Sequence, residues 1–529
     1  MTHWTESAVF YHLYPLGFFG CEPYAITDVH HRLPAFSSWI PHLKDMHINA
    51  IYMGPVFSSY EHGYDTSDYY TIDPRLGTNE DFRKLCKELK ENDIRIVLDG
   101  VFHHVGRDFW AFRDVLEKQE ASPYADWFHI RFHQPAPWGD PFTYDTWEGH
   151  HNLVKLNLRN EAVTDHLLNA VAMWIEEFHI DGLRLDAADC IDPDFFRRLR
   201  TFCKRKRPDF WLMGEIIHGD YTRWANPDML DSVTNYECYK GLYSSHNEHN
   251  YFEIAYSLNR QFGEGGIYKD LLLYNFADNH DVSRLASTVK NSDDLKNIYT
   301  MLYTMPGIPS IYYGSEYAIE GTKHHGSDRD LRPCLIDQKP ADTPLLDHIR
   351  KLGELYERSE LLHRGSYQQV LVRNEQFVFC RTYNKEYAYV VCNVSEQEAK
   401  LEFPVPKDHM KLVFGHADYS IQDATMHIAI APKDACIFIS ETACGNIPTQ
   451  PKAITQHKDT VIKPGRYRHF KGKEYAVLYT ATHSETLEDY VVYRQLYGEE
   501  RIWVRPLSMF SETVERDGIQ QPRFTYIGK

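Results

Sequence analysis

Four acidic residues stand at the ends of short apolar runs in this chain: Asp99 ends IRIVLD, Asp186 ends GLRLD, Glu215 ends FWLMGE and Asp281 ends FADNHD. A carboxylate is misplaced inside a buried strand but belongs at its mouth. Four strands that each deliver an acid to one rim would line a cleft with converging carboxylates. The stretch DGLRLDAADC, from Asp181 to Cys190, adds a cation. Side chains alternate along a strand, so Arg184 and Asp186 share a face, with Leu183 and Leu185 on the other. Together with His104 and His280, such a cluster suits either a metal centre or the paired-carboxylate chemistry of glycoside hydrolysis. The pairs His103-His104 and His150-His151 hint at zinc, but adjacent residues rarely aim both rings into one site. No CxxC pair is present. Two acids with aromatic walls describe sugar chemistry instead.

The elements that must position these residues follow from periodicity. Eight short apolar runs are expected as strands: Val9 to Tyr14, Ala50 to Met53, Ile94 to Leu98, Ile180 to Leu185, Phe210 to Met213, Asp231 to Val233, Leu271 to Tyr274 and Ser310 to Tyr313. Between the third and fourth, Val163, Leu167, Val171, Trp174, Ile175 and Phe178 follow helical spacing behind an Asn160 cap. Strands alternating with helices predict parallel strands and crossovers, and eight such units close as a (β/α)8 TIM barrel. The expected fold class is α/β, with the barrel built from residues 1–102 and 158–364. The long gap between strands three and four predicts an inserted domain at 103–157, over the C-terminal rim. It holds Trp110, Trp127, Trp138, Tyr144 and Trp147, and Pro135, Pro137 and Pro141 break any long helix. Alternation at 365–443 predicts an antiparallel β domain. Residues 444–460 read as a polar linker, and 461–529 as a further small β-rich domain.

Composition narrows the function class. The chain has 529 residues, with 57 basic against 75 acidic side chains and a formal charge of -18, which argues against nucleic acid as a partner. No apolar run is long enough to span a membrane, and the first residues lack the pattern of a signal peptide, so no membrane partner is expected. The ten cysteines are scattered, as for reduced thiols in a cytoplasmic protein. The sequence does not address oligomeric state.

Seven short motifs then occur in order: GPVF (54–57), DGVFHH (99–104), LVKLN (153–157), DGLRLDAA (181–188), GEIIH (214–218), FADNHD (276–281) and GIPSIYYGSE (307–316). On these the chain resembles the α-amylase superfamily of retaining glycoside hydrolases over about residues 8 to 440, and LVKLN and GEIIH are similar to its cyclomaltodextrinase and neopullulanase branch. The resemblance implies Asp186 as nucleophile, Glu215 as acid and base, and Asp281 as the residue that holds sugar hydroxyls. It also implies substrate contacts from Tyr64 and Asp65 of HGYDTSDYY, from His104, Arg184, His218 and His280, and from Asp328 and Arg332 of DRDLR. Arg184 is expected to keep Asp186 ionised. The implied substrate is an α-glucan oligosaccharide, cut mainly at α-1,4 bonds of short maltooligosaccharides or cyclodextrins. The alternatives are an α-glucosidase or a glucanotransferase, either with α-1,6 activity or without it, and a non-catalytic binding protein.

The chain departs from the branch in three places. His103 stands where the family usually has a calcium-binding Asn, so the usual structural calcium is not expected and no cofactor is required. Strand one is expected from near residue 9, where the branch usually carries an N-terminal β domain first, and the branch's Val-Ala-Asn-Glu run is replaced by Ala187, Ala188, Asp189 and Cys190. Residues after about 461 resemble a small bacterial domain of unknown function; its aromatics, Tyr467, Phe470, Tyr475, Tyr493, Tyr497, Trp503 and Phe510, are expected mainly in its own core.

Overall fold

The computed structural model describes residues 3–324, 327–337, 339–406, 409–441, 443, 462–482, 489–498, 501–511, 513–516 and 519–528. The chain divides into two compact units, Met1–Gln450 and Pro451–Lys529. The linker expected at 444–460 lies outside the described residues.

In the first unit eight parallel strands form one sheet: β1 Phe10–Leu13, β2 Ala50–Met53, β3 Arg95–Gly100, β4 Gly182–Leu185, β5 Trp211–Gly214, β6 Ser232–Val233, β7 Tyr274–Phe276 and β8 Ile308–Tyr312. Their order is β6-β5-β4-β3-β2-β1-β8-β7. A parallel bridge from Thr234 to Tyr274 and the bond from Asn235 N to Tyr274 O (2.9 Å) draw β6 to β7 and close the barrel. Strand β7 starts three residues later than the sequence suggests. Leu271 ends a turn on Tyr268, Leu273 gives its carbonyl to Ile308, and pairing begins at Tyr274. An apolar run marks a buried strand but does not fix where its ladder begins.

The barrel interior is a packed core of Phe10, Tyr52, Val97, Trp211, Tyr274 and Phe276, among others. Gly182 makes room for it: a Cβ there would lie 2.6 Å from the Trp211 carbonyl oxygen. Gly182, Arg184 and Asp186 share one face of β4, as Trp211, Met213 and Glu215 share one face of β5, so the polar rim continues the apolar core in phase.

Asp181 has a different task from Asp186. It lies at the opposite end of β4, fully buried, and receives Lys90 Nζ (2.9 Å), Arg95 Nη1 (2.9 Å), Arg207 Nη2 (2.6 Å) and the Ile96 amide (2.8 Å). Asp181→Ala is expected to cost about 3–5 kcal/mol of stability, because it leaves three cations facing an empty acceptor site. Urea denaturation reads the loss, and kcat per folded molecule should stay within twofold of wild type.

Four helices matter to the site or its support: α1 Glu161–Glu177, α2 Tyr236–Asn247, α3 Phe252–Phe262 and α4 Asp294–Thr304. The Asn160 side chain caps α1, accepting from the amides of Ala162 and Val163, and Trp174 and Phe178 are buried along the helix. The stretch between β3 and α1 forms a small antiparallel sheet of His104–Gly106, His150–Lys155 and Thr146–Trp147, a helix over Trp110–Lys118 and a short hairpin.

After the barrel, a five-stranded and a three-stranded antiparallel sheet enclose a core that includes Val378, Tyr389, Leu401, Phe403, Ile428 and Phe438. Two buried cations tie this sandwich to α4. Arg381 donates to the carbonyls of Thr304 (2.6 Å) and Gly365 (2.9 Å), and Lys433 pairs with Asp294 (3.1 Å). The first of these places a positive charge at the C-terminus of α4, where the helix dipole favours it.

The second unit has a five-stranded antiparallel sheet of Ile502–Pro506, Asp489–Gln495, Glu474–Thr482, Gly465–His469 and Phe524–Gly528, in that order. Tyr467, Tyr493 and Phe510 pack in its core as expected, whereas Trp503 is 47% exposed.

Candidate active site

Arg184 is the centre of the rim. Its Nη1 lies 2.9 and 3.0 Å from the two Asp99 oxygens and 3.0 Å from Asp186 Oδ1, while its Nη2 lies 2.7 Å from Glu215 Oε2. The guanidinium is 3% exposed, so these contacts are shielded from solvent. Asp99 is wholly buried beneath it and accepts the hydroxyls of Tyr52 (2.7 Å) and Tyr64 (3.1 Å). It therefore anchors Arg184 and the aromatic floor and does not line the cleft.

One cation faces three carboxylates. Burial pushes Asp186 well above the usual carboxylate range; Arg184 opposes this, and Glu215 and Asp99 add to it. The expectation that Arg184 keeps Asp186 ionised is therefore corrected, because its charge is divided among three acids. If Asp186 must be ionised to react, the acid limb of kcat/KM against pH should lie above the ordinary aspartate value of about 3.9. Activity should rise through that limb as pH increases, and a limb at or below that value would contradict the arrangement.

Asp281 is in the opposite position. Burial alone would raise it, but His280 (Nε2 to Oδ2, 2.9 Å) and Arg332 (Nη2 to Oδ1, 3.2 Å) hold it well below the usual range. Arg332 also pairs with Asp328 (3.0 Å) and lies 4.4 Å above the Tyr14 ring. His280 is stacked between Tyr14 and Tyr64, with ring centroids 5.7 and 5.4 Å away, and bonds to the Tyr64 hydroxyl. This side of the cleft is an aromatic floor edged by fixed charges.

His104 is buried, with Nε2 3.9 Å from Asp186 Oδ2 and Trp147 of the insert beside its ring. Burial lowers His104 to about 3 and His103 to about 4, so both imidazoles are neutral at pH 7. His103 Nδ1 faces His104 Nδ1 at 3.2 Å. A neutral nitrogen turned onto another ring is a poor match for a hard cation that selects oxygen ligands. No cluster of three or more metal-ligating side chains occurs among the described residues.

An open cleft of about 2530 Å³ contains Tyr64, His104, Asp186, Glu215, Asp281, Asp328 and Arg332 on its walls, and His218 at its exposed rim. Asp65 is a correction. Its carboxylate turns back onto the amides of Glu61 (2.7 Å), His62 (3.1 Å) and Gly63 (3.1 Å), so it shapes the Tyr64 loop and is not among the residues that line the cleft. Gly106 of the insert packs so closely that a Cβ would lie 2.4 Å from the Asp65 carbonyl oxygen.

Two contributors were not evident in the sequence. Tyr236, at the start of α2, reaches Glu215 Oε1 (3.4 Å) and accepts from Asn279 Nδ2 (3.0 Å). Ala187 adopts a left-handed conformation (φ 44°), which turns its N–H onto Glu215 Oε2 (3.2 Å). The signal for Tyr236 was its place directly after a strand end; nothing in the residue type of Ala187 announces its conformation.

The Alpha amylase catalytic domain family model matches residues 33–351. The chain belongs to the α-amylase family. The Maltogenic Amylase C-terminal domain matches 367–437, and a protein family of unknown function, DUF1653, matches 465–526. A cyclomaltodextrinase of Geobacillus thermopakistaniensis is 32% identical over 74% of this chain and 65% of its own length. An intracellular maltogenic amylase of Bacillus subtilis is 29% identical over 72% of this chain and 68% of its own. The debranching enzyme of Nostoc punctiforme superposes with a TM-score of 0.73 at 25% identity, covering 82% of this chain and 98% of that one. The chain thus spans about two thirds of the length of the curated relatives it matches.

Proposed function

We propose that this member of the α-amylase family is a retaining hydrolase that cleaves mainly α-1,4 bonds of short maltooligosaccharides or cyclodextrins. The observation that carries the reading is the pair Asp186 and Glu215, bridged by the two terminal nitrogens of one guanidinium. Acids held on one small cation are close together, as a retaining pair separated by about 5–5.5 Å must be. Asp186 attacks the anomeric carbon while Glu215 gives its proton to the departing glycosidic oxygen, leaving a glycosyl ester on Asp186. Glu215, now a carboxylate, takes a proton from a water molecule as that water attacks the anomeric carbon, breaking its bond to the Asp186 oxygen to release the sugar and free Asp186. The sugar rests on Tyr64, with Asp281, His104 and the Asp328–Arg332 pair on the cleft wall to meet its hydroxyls and His280 holding Asp281 from behind.

We read the protein as independent of calcium and cytoplasmic. Supporting the first is the His103 ring nitrogen, turned onto His104 and no ligand for a hard cation; supporting the second, the nine described cysteines are all free thiols. Among the described residues no helix is long and apolar enough to cross a membrane.

Incubation with maltotriose, maltoheptaose, β-cyclodextrin, pullulan and isomaltose, with and without EDTA, tests both readings. The expected result is cyclodextrin opening with accumulation of maltose, changed less than twofold by chelator. Glucose as sole product, products longer than the substrate, or isomaltose cleavage would replace the reading with an α-glucosidase or transferase. No turnover of any substrate would point to a binding protein.

A further inference from the structure

We infer that α2 and α3 form a stacking wall that binds the leaving-group side of a glucan chain, several sugars beyond the scissile bond. The inference rests on the hydrolase reading, because it takes Glu215 as the acid and so marks which side of the bond departs.

Tyr236, Tyr239 and Tyr243 recur at helical spacing on α2, and all three line the cleft. The row begins at Tyr236, whose hydroxyl touches Glu215, and none of its rings packs on the floor of Tyr14, Tyr64 and His280 in the ring contacts of the described residues. From Tyr236 to Tyr243 the helix rises about 10 Å, at 1.5 Å per residue, which spans more than one pyranose ring. Tyr239 packs against Phe276 with centroids 5.2 Å apart, and Tyr243 leans on Tyr239 at 5.2 Å, so the row is braced from the barrel outward.

Helix α3 provides the facing side. Glu253, Tyr256 and Arg260 follow the same spacing and line the same cleft. Tyr256 is 69% exposed, more than any other large apolar side chain among the described residues, and folding gives no reason for it. Around it are fixed polar groups: Glu253 accepts the Ser244 hydroxyl, and Arg260 pairs with Glu237 at 2.5 Å. Gly241 holds the two helices together, since a Cβ there would lie 3.0 Å from Ile254 Cδ1. Exposed rings among oriented hydrogen-bonding groups suit a sugar chain, whose apolar faces stack while its hydroxyls reach the rim. A purely apolar partner would bury these charged groups away from water with nothing to meet their remaining hydrogen-bonding capacity.

The test compares kcat/KM on maltoheptaose with that on maltotriose, which is too short to reach far along the wall. Tyr256→Ala and Tyr243→Ala should each lower the ratio about fivefold, and Tyr256→Phe, which keeps the ring, should restore it to within twofold. A ratio unchanged in both alanine variants overturns the inference, as does a Tyr256→Phe variant as impaired as Tyr256→Ala. Wild-type turnover of 4-nitrophenyl α-maltoside reports on the hydrolase reading independently. If that substrate and both glucans are inert, the hydrolase reading fails, and calorimetric titration with maltoheptaose decides the wall: weakened binding in Tyr256→Ala retains it, unchanged binding overturns it.

Discussion

Asp186→Asn should lower kcat/KM on maltotriose about 10⁴-fold or more, near 5.5 kcal/mol of transition-state stabilisation. The carboxamide would be a poor nucleophile, and no other carboxylate can take over, because Asp99 is sealed under Arg184 and Asp281 is held by His280 and Arg332. Glu215→Gln should be less severe, about 10²–10⁴-fold, and its loss should depend on the leaving group. An aryl glycoside departs without protonation, so the Gln variant should recover most of its bond-cleavage rate there while the Asn variant stays inactive. Burst kinetics on the aryl substrate would then show the glycosyl-enzyme accumulating in Glu215→Gln, since the base for the second step is also missing. Equal losses on both substrates would remove Glu215 from the acid role.

Arg184→Met should damage both activity and folding. Three carboxylates would remain around a site that is 3% exposed, with no counter-charge. Leaving buried charge uncompensated costs about 3–5 kcal/mol, and kcat/KM should fall about 10³-fold or more as Asp186 and Glu215 lose their common support. The pH dependence has a defined sign. Asp186 already lies above the ordinary value, and removing the charge that opposes this raises it further, so the folded state binds more protons than the unfolded chain, and stability falls as pH rises from about 4 through the raised native value. Urea midpoints of the variant and wild type should therefore converge towards pH 4 and diverge by pH 7. Arg184→Lys should recover part of the stability but little activity, because one ammonium cannot bridge both acids with the same geometry.

The strand ends were legible because two independent patterns agree there. An apolar run bounded by turn residues marks a strand, and an acid in phase with its interior side chains marks the mouth of a barrel, as for Arg184 and Asp186 on β4. The Asn160 cap and the apolar stripe behind it defined α1 in the same way. Periodicity failed where burial is uniform: Leu271 to Leu273 are apolar without being strand, and only the partner strand fixes the ladder at Tyr274. Site roles failed where a side chain had two local options. Asp65 is beside Tyr64 in sequence, but three unpaired amides of its own loop lie closer than any sugar would. The division of Arg184 among three acids is invisible in sequence because Asp99 and Glu215 come from strands on either side of β4. The tyrosine row on α2 is legible as spacing alone, but its continuity with the cleft depends on how β6 aims that helix.

The position of Arg184 has a consequence for the whole reaction cycle. In the protonation state that the two-step reaction requires, Asp186 enters as an anion and Glu215 as an acid; after the first step Asp186 is an uncharged ester and Glu215 is the anion. The same number of negative charges surrounds the guanidinium before and after, and only their places exchange. A cation held by Asp99 from below need not move or be resolvated as the ester forms and breaks, so the protein's field is already arranged for both halves of the turnover.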